Sequence, residues 1–225
     1  MTAELLPAVE IEPERPADAA VILMHGLGAD GHDFETLVFE LKLPPGSAIR
    51  WVFPHAPIRP VTLNGGMPMR AWFDIIGLDR RSEEDEVGIR ESAEGIRALV
   101  RRERERGIPA ERIVLAGFSQ GGAMALHTAL RETDRLAGVL ALSTYLPLEG
   151  TLEAEAHPAN AAVPLFMAHG TADPIVPLTL GESSRNRLRS LGHEVDWHTY
   201  PMPHSVCAEE VADIREWLLG VLPVR

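Results

Sequence analysis

Short apolar runs alternate with amphipathic segments along almost the whole chain. Residues 19–24 (AAVILM) and 112–116 (RIVLA) are runs typical of strands covered on both faces. Between such runs, apolar or small residues recur at helical spacing, as at Ile89, Ala93 and Ile96. The alternation predicts βα units and a mostly parallel central sheet flanked by helices, which is an α/β fold. The predicted strands span residues 9–11, 19–24, 49–53, 112–116, 136–143, 163–168 and 194–200, and the predicted helices span residues 34–43, 87–106, 123–130, 178–191 and 208–219.

Residues 57–86 show no clear periodicity. So long an irregular segment inside a compact domain is usually functional or mobile. Its apolar side chains either line a binding site or form a small core beneath a long loop, and the pattern leaves both interpretations open. These side chains are Leu63, Trp72, Ile75, Ile76 and Leu78.

A serine between two glycines joins the strand at 112–116 to the helix at 123–130. So short a connection needs a sharp turn with Ser119 at its apex, where Gly117 and Gly121 remove the Cβ atoms that would collide. The G-x-S-x-G spacing therefore predicts a nucleophile elbow. The alternative is a glycine-rich connection whose serine only caps the helix. That alternative gives no reason for an acid and a histidine to follow in order downstream.

A serine nucleophile needs a base, and the base needs an acid that fixes its tautomer. In an open parallel sheet such groups gather at the carboxyl ends of strands. His204 follows the strand at 194–200, and Asp173 follows the strand at 163–168. The chain order Ser119, Asp173, His204 is the one expected of an α/β-hydrolase. His25 and His169 each end a strand beside a glycine, so we expect them to be structural histidines near the site.

The oxyanion formed when a serine attacks a carbonyl needs two preorganised donors. One should be the backbone N–H after the nucleophile, that of Gln120, and the other should come from the glycine-rich loop after the strand at 19–24. Within that loop we assign the second donor to Leu27.

Composition limits the class of protein. With 225 residues and 45% hydrophobic content, the chain can bury one large core, and we expect a single domain over residues 1–225. A formal net charge of −12 argues against nucleic acid or an anionic membrane as a main partner. The single cysteine, Cys207, excludes an internal disulfide and a metal–thiolate cluster. The sequence contains no run of about 18 consecutive apolar residues that would predict membrane insertion, so we expect a cytoplasmic protein.

Six segments together resemble the phospholipase/carboxylesterase family of small α/β-hydrolases, which includes carboxylesterases and acyl-protein thioesterases. They cover nearly the whole chain in the family's order. One departure is Pro203, where relatives commonly have glycine before the histidine. The segments are His25-Gly26-Leu27-Gly28, Phe53-Pro54-His55-Ala56-Pro57, Arg70-Ala71-Trp72-Phe73-Asp74, Gly117-Phe118-Ser119-Gln120-Gly121-Gly122, Asp173-Pro174-Ile175-Val176-Pro177 and His204-Ser205-Val206-Cys207.

The resemblance implies the same triad and oxyanion donors, little or no lid, and a hydrophobic acyl groove. We assign Leu63, Trp72, Ile76, Leu78 and Val176 to that groove. The implied activity is hydrolysis of a small or lipid-like carboxylic ester without metal or organic cofactor. A thioesterase acting on acylated protein, a lysophospholipase and a non-catalytic binding protein remain alternatives. Relatives often form homodimers, and Trp72 or Leu78 could serve such an interface instead of binding substrate.

Overall fold

Nine strands occur in the computed structural model, which describes residues 5–77 and 83–224. Seven of them form one sheet in the order β1-β3-β2-β6-β7-β8-β9, and β4 pairs only with β5. All neighbours in the large sheet are parallel except β1, which runs antiparallel to β3 at one edge. The predicted mostly parallel sheet is therefore confirmed. The strands are β1 (Ala8–Ile11), β2 (Ala19–Met24), β3 (Ile49–Pro54), β4 (Ile58–Val61), β5 (Met67–Arg70), β6 (Ile113–Phe118), β7 (Gly138–Leu142), β8 (Leu165–Gly170) and β9 (Val195–Tyr200).

Six α-helices connect or follow these strands within the described residues. They are α1 (Glu35–Glu40), α2 (Glu86–Glu105), α3 (Gln120–Leu130), α4 (Glu149–Glu155), α5 (Leu178–Ser190) and α6 (Ala208–Val221). Each of the five predicted helices is present, with bounds that shift by a few residues. No helix in the described ranges combines the length and the apolar composition that a bilayer crossing requires.

Alternate residues of β2 enter two separate cores, one on each face of the sheet. Ala20, Ile22 and Met24 pack into the core that holds the apolar residues of α2 and α3, such as Ile96. Ala19, Val21 and Leu23 pack into the opposite core with residues of α1 and α6, such as Ile214. All six β2 residues are buried. The period of two therefore places apolar side chains on both faces, which explains why the strand reads as one continuous apolar run.

The expectation of an irregular segment at 57–86 is wrong for its first part, where β4 and β5 form an antiparallel hairpin. Pro60 pairs with Pro68 in its register, and most of the hairpin's side chains are exposed or half-buried. An exposed two-stranded ribbon needs no buried face, so its sequence carries no alternation of apolar and polar residues. The sequence pattern does not indicate helix α4 for a similar reason, because Leu152 is the helix's one buried residue.

Candidate active site

Ser119 lies between the last residue of β6 and the first residue of α3, in the predicted elbow. Its φ of 54° and ψ of −120° are unusual for a residue with a side chain. A Cβ at Gly117 would collide with the backbone of Gly121, and a Cβ at Gly121 would collide with the carbonyl of Met24. The two glycines therefore let β6 turn directly into α3 beside the end of β2.

Hydrogen bonds on both sides hold the strained backbone of Ser119. Its N–H donates to the carbonyl of Leu142 at 2.8 Å. Its carbonyl accepts from Thr144 Oγ1 at 2.7 Å and from the N–H of Ala123 at 3.1 Å. Such a conformation costs ~1–3 kcal/mol and persists only where its surroundings enforce it. Here the neighbouring strand β7 and the first turn of α3 supply that enforcement.

Asp173 and His204 are in direct contact, as the order of motifs predicts. His204 Nδ1 lies 2.6 Å from Asp173 Oδ2, while Asp173 Oδ1 accepts from the N–H groups of Ile175 at 2.8 Å and Val176 at 2.9 Å. The aspartate side chain is fully shielded from solvent. Since a carboxylate oxygen only accepts, His204 carries its proton on Nδ1 and keeps Nε2 as an acceptor.

His204 is also held against the elbow. The rings of His204 and Phe118 have centroids 4.6 Å apart, and Phe118 directly precedes Ser119. Among the described residues no hydrogen bond joins Ser119 Oγ to His204. Such contacts are often long in the absence of substrate and tighten in the reacting complex. The structure thus brings the imidazole to the residue beside the candidate nucleophile.

The two predicted oxyanion donors flank Ser119, with Leu27 in the loop after β2 and Gln120 at the first position of α3. A Cβ placed on Gly26 would be 3.5 Å from Ser119 Cβ, so the loop carrying Leu27 abuts the serine. In the described part of the chain, neither the N–H of Leu27 nor that of Gln120 has an intramolecular acceptor. The Gln120 N–H is also in the first turn of α3, where the helix dipole favours negative charge. Both groups are thus free to bind an oxyanion.

The side chain of Gln120 has a role that the sequence interpretation did not include. Its Oε1 accepts from the N–H of Trp72 at 2.8 Å, and its Nε2 donates to the carbonyl of Phe73 at 2.7 Å. Gln120 is buried, and its amide pairs with the backbone of residues 72 and 73 as a neighbouring strand would. A glutamine after a catalytic serine gives no signal of this, because its partners lie far away in sequence.

Trp72 does not lie in the acyl groove that the sequence analysis predicts for it, but in the core. Its side chain is 0% exposed, and its indole Nε1 donates to the carbonyl of His25 at 2.9 Å. Its own carbonyl accepts from Ser92 Oγ. Burial in the core leaves no ring surface for an acyl chain or for a second copy of the protein. The assignment of Trp72 to direct substrate contact is therefore corrected to a supporting position behind the loop that carries Leu27.

The remaining groove residues fall into three groups. Leu63 and Ile76 are 53% and 44% exposed, so their side chains are available to a ligand. Val176 is buried and contributes backbone groups to Asp173 and His169, which makes it a structural neighbour of the candidate triad. Leu78 lies outside the described residues.

His25 and His169 are structural, as expected. Both are 1% exposed. His169 Nε2 donates to the carbonyl of Val176 at 2.8 Å and lies 3.6 Å from Asp173 Oδ2. Burial lowers the pKa of His169 below its usual range, so the ring next to the aspartate is neutral. The buried His169 ring therefore places no positive charge beside the Asp173–His204 pair.

Taken together, the geometry suits nucleophilic acyl transfer. A hydroxyl at an elbow, an imidazole oriented by a buried carboxylate and two unpaired N–H groups are the parts that this chemistry requires. Across residues 5–77 and 83–224, no three His, Cys, Asp or Glu side chains are grouped closely enough to hold a metal ion.

Sequence and structural comparisons identify similar proteins of known family. A sequence model of the phospholipase/carboxylesterase family matches residues 7–221. An acyl-protein thioesterase 1 from Mycosarcoma maydis is 41% identical over 222 residues, which cover 92% of each chain. An acyl-protein thioesterase 1 from Neurospora crassa is 43% identical over 215 residues, covering 91% of this chain and 87% of its own. The crystal structure of acyl-protein thioesterase 2 from Zea mays superposes with a TM-score of 0.86 at 31% identity, covering 96% of this chain and 99% of the maize chain. The chain therefore belongs to the phospholipase/carboxylesterase family of α/β-hydrolases and is a serine esterase-type enzyme.

Proposed function

We propose that this enzyme hydrolyses acyl thioesters carried by proteins, and the corresponding oxygen esters, through an acyl-enzyme on Ser119. The hydrogen bond from His204 Nδ1 to the buried Asp173 carries the proposal, because it leaves Nε2 as a base beside the elbow. The substrate class is supported by the two relatives above that are named acyl-protein thioesterase 1 and exceed 40% identity.

In the acylation half, His204 Nε2 takes the proton of Ser119 Oγ while Oγ bonds to the carbonyl carbon. The carbonyl electron pair moves to oxygen, and the N–H groups of Leu27 and Gln120 bind this oxyanion. When the tetrahedral intermediate collapses, the carbon–sulfur bond breaks and the leaving thiolate takes the proton from His204. The products are a free thiol and acyl-Ser119.

In the deacylation half, His204 Nε2 takes a proton from water as the water oxygen bonds to the acyl carbon. Collapse of the second intermediate breaks the bond to Ser119 Oγ, which recovers its proton from His204. Asp173 stabilises the imidazolium in both halves. A thiolate is a better leaving group than an alkoxide because a cysteine thiol has a pKa near 8.5, so a thioester places less demand on proton transfer.

The test compares a peptide carrying an S-palmitoyl cysteine with the same peptide carrying an O-palmitoyl serine, and with p-nitrophenyl esters of increasing acyl length, using wild type and Ser119→Ala. We expect wild type to cleave the thioester peptide with a higher kcat/KM than the matched oxygen-ester peptide. Ser119→Ala should lose several orders of magnitude on every substrate, because triad members act as a unit.

Other results of this test would favour the alternative functions. Cleavage of short oxygen esters alone would indicate a general carboxylesterase, and preference for a lysophospholipid would indicate a lysophospholipase. Equal, very low rates in wild type and Ser119→Ala would indicate a non-catalytic binding protein.

Homodimer formation and a cytoplasmic location stay predictions, and sedimentation analysis of the purified protein tests the first of them.

A further inference from the structure

Each proposed oxyanion donor belongs to a peptide unit whose carbonyl is also held. The N–H of Leu27 shares a peptide unit with the carbonyl of Gly26, and the N–H of Gln120 shares one with the carbonyl of Ser119. A trans peptide is planar, so its C=O and N–H point in opposite directions. A group that fixes the carbonyl therefore sets the direction of the N–H.

His25 holds the first of these carbonyls. Its Nδ1 lies 2.6 Å from the oxygen of Gly26, and its Nε2 accepts from the N–H of Ala56 at 3.1 Å. The second contact requires an unprotonated Nε2, so the proton is on Nδ1 and the ring donates to Gly26. The ring is 1% exposed, and burial lowers the pKa of His25, which keeps this neutral tautomer in place.

Thr144 holds the second carbonyl. Its Oγ1 donates to the oxygen of Ser119 at 2.7 Å, and the whole residue is 1% exposed. Its methyl group packs against α3, since a Cβ added to Gly122 would lie only 2.8 Å from Thr144 Cγ2. The side chain therefore has little freedom to turn its hydroxyl away from Ser119.

The two held peptides are joined through the core. Trp72 Nε1 donates to the carbonyl of His25, and the N–H of Trp72 donates to the Gln120 side chain. The N–H of Gly28 donates to the carbonyl of Arg70 in β5 at 2.9 Å, which anchors the far end of the loop that carries Leu27. A displacement of either donor would thus have to break several buried hydrogen bonds.

We propose that His25 and Thr144 are paired positioning residues that aim the Leu27 and Gln120 N–H groups at the oxyanion by holding the opposite ends of their peptide units. This inference rests on the proposed function, since it concerns the same reaction. Neither side chain touches the substrate. Their effect is confined to the transition state, where the oxyanion forms, and leaves ground-state binding of the acyl chain unchanged.

His25 is tested by two variants that each delete one of its hydrogen bonds. In His25→Asn the amide nitrogen occupies the place of Nδ1 and still donates to Gly26, whereas in His25→Gln the longer amide reaches Ala56 instead. We expect His25→Gln to lower kcat by about 10- to 100-fold with KM nearly unchanged. The upper value is similar to the effect of losing one oxyanion donor. His25→Asn should keep most of the wild-type kcat. Equal kcat values for the two variants would overturn the assignment of His25.

Thr144 is tested by Thr144→Val, which replaces the hydroxyl with a methyl group of similar size, and by Thr144→Ser, which keeps the hydroxyl. We expect Thr144→Val to lower kcat by about 10- to 100-fold and Thr144→Ser to restore it. Affinity for an alkyl boronic acid, whose serine adduct carries a tetrahedral oxyanion, should fall in parallel with kcat in Thr144→Val and His25→Gln.

The controls separate this inference from the function on which it rests. Thermal melting identifies any variant that fails to fold, and its kcat is then compared at a temperature where all variants are folded. An active wild type with wild-type kcat in both His25→Gln and Thr144→Val overturns the inference alone. An inactive wild type overturns the proposed function instead.

Discussion

Asp173 divides its two carboxylate oxygens between different partners. Oδ1 accepts from two backbone N–H groups in its own turn, and Oδ2 accepts from His204. The turn therefore holds the carboxylate in place even without the histidine. This division separates the structural role of the residue from its chemical role, so that the two can be changed independently.

Asp173→Asn should keep the turn and disrupt the chemistry. The amide oxygen can still accept from Ile175 and Val176, but the amide nitrogen would then face His204 as a donor and select the wrong tautomer of the ring. We expect kcat to fall by about 10³- to 10⁴-fold, the scale known for this substitution in serine proteases, with little change in melting temperature. Asp196→Asn, on the exposed part of β9, is the matched control and should leave kcat unchanged. A residual rate above about a tenth of wild type would contradict the role of Asp173.

At the scale of secondary structure elements, the end of β8 supports the loop that carries His204. Gly170 is the last residue of β8, and a Cβ there would collide with the carbonyls of Met202 and Pro203. The backbone of the two residues before His204 therefore packs directly on the strand. This contact also places Pro203 against the sheet, so Pro203 lies in a segment that β8 already constrains.

Gly170→Ala should displace the His204 loop. We expect a loss of about 1–3 kcal/mol in the free energy of unfolding, as for other overpacked sites, and a lower kcat because His204 moves relative to Ser119. Gly150→Ala is the control, since nothing lies within 4 Å of a Cβ at that position in α4. It should be neutral or stabilising, because alanine favours helix. Urea unfolding and ester hydrolysis measure the two effects, and unchanged values of both in Gly170→Ala would refute the packing argument.

Across the whole molecule, one buried carboxyl makes stability depend on pH. Glu210 in the first turn of α6 is 0% exposed, and burial raises its pKa to about 8 from an ordinary value of 4.5. The folded state therefore holds this proton more tightly than the unfolded state does. Its contribution to stability is complete below about 4.5 and is lost as the pH rises through about 8.

Glu210→Gln should remove this dependence. At about pH 9 the buried side chain of the wild type is charged, and each unit by which burial raises its pKa corresponds to about 1.4 kcal/mol of lost stability. We therefore expect the variant to melt higher than wild type at this pH. Near pH 4 the two should melt alike, since the wild-type side chain is then neutral. Glu209→Gln, an exposed neighbour in the same helical turn, should give no alkaline gain. Melting curves from about pH 4 to about pH 9 measure the difference, and parallel curves for wild type and Glu210→Gln would contradict it.

Much of the fold and the order of the candidate triad could be predicted because both depend on local patterns. Strands buried on both faces need continuous apolar runs, and a strand that turns directly into a helix needs glycines at Gly117 and Gly121. Parallel strands bring their carboxyl ends to one edge, so residues just after different strands meet there. Asp173 and His204, 31 residues apart, are in contact for this reason.

Long-range packing decided the rest. Apart from Val61, the residues of the β4–β5 hairpin are exposed or half-buried, so its sequence shows no alternation of apolar and polar positions. Trp72 is of a residue type common in ligand-binding sites, but it lies in the core. The contacts of Gln120 with residues 72 and 73, and of Trp72 with His25, span 47 or 48 positions. By itself, the sequence determined the sheet, the elbow and the order of the candidate triad, because local sterics and strand direction require them. Only the tertiary structure decided which buried polar groups hold the loop that carries Leu27, because their hydrogen-bond partners become neighbours only after the two cores have packed.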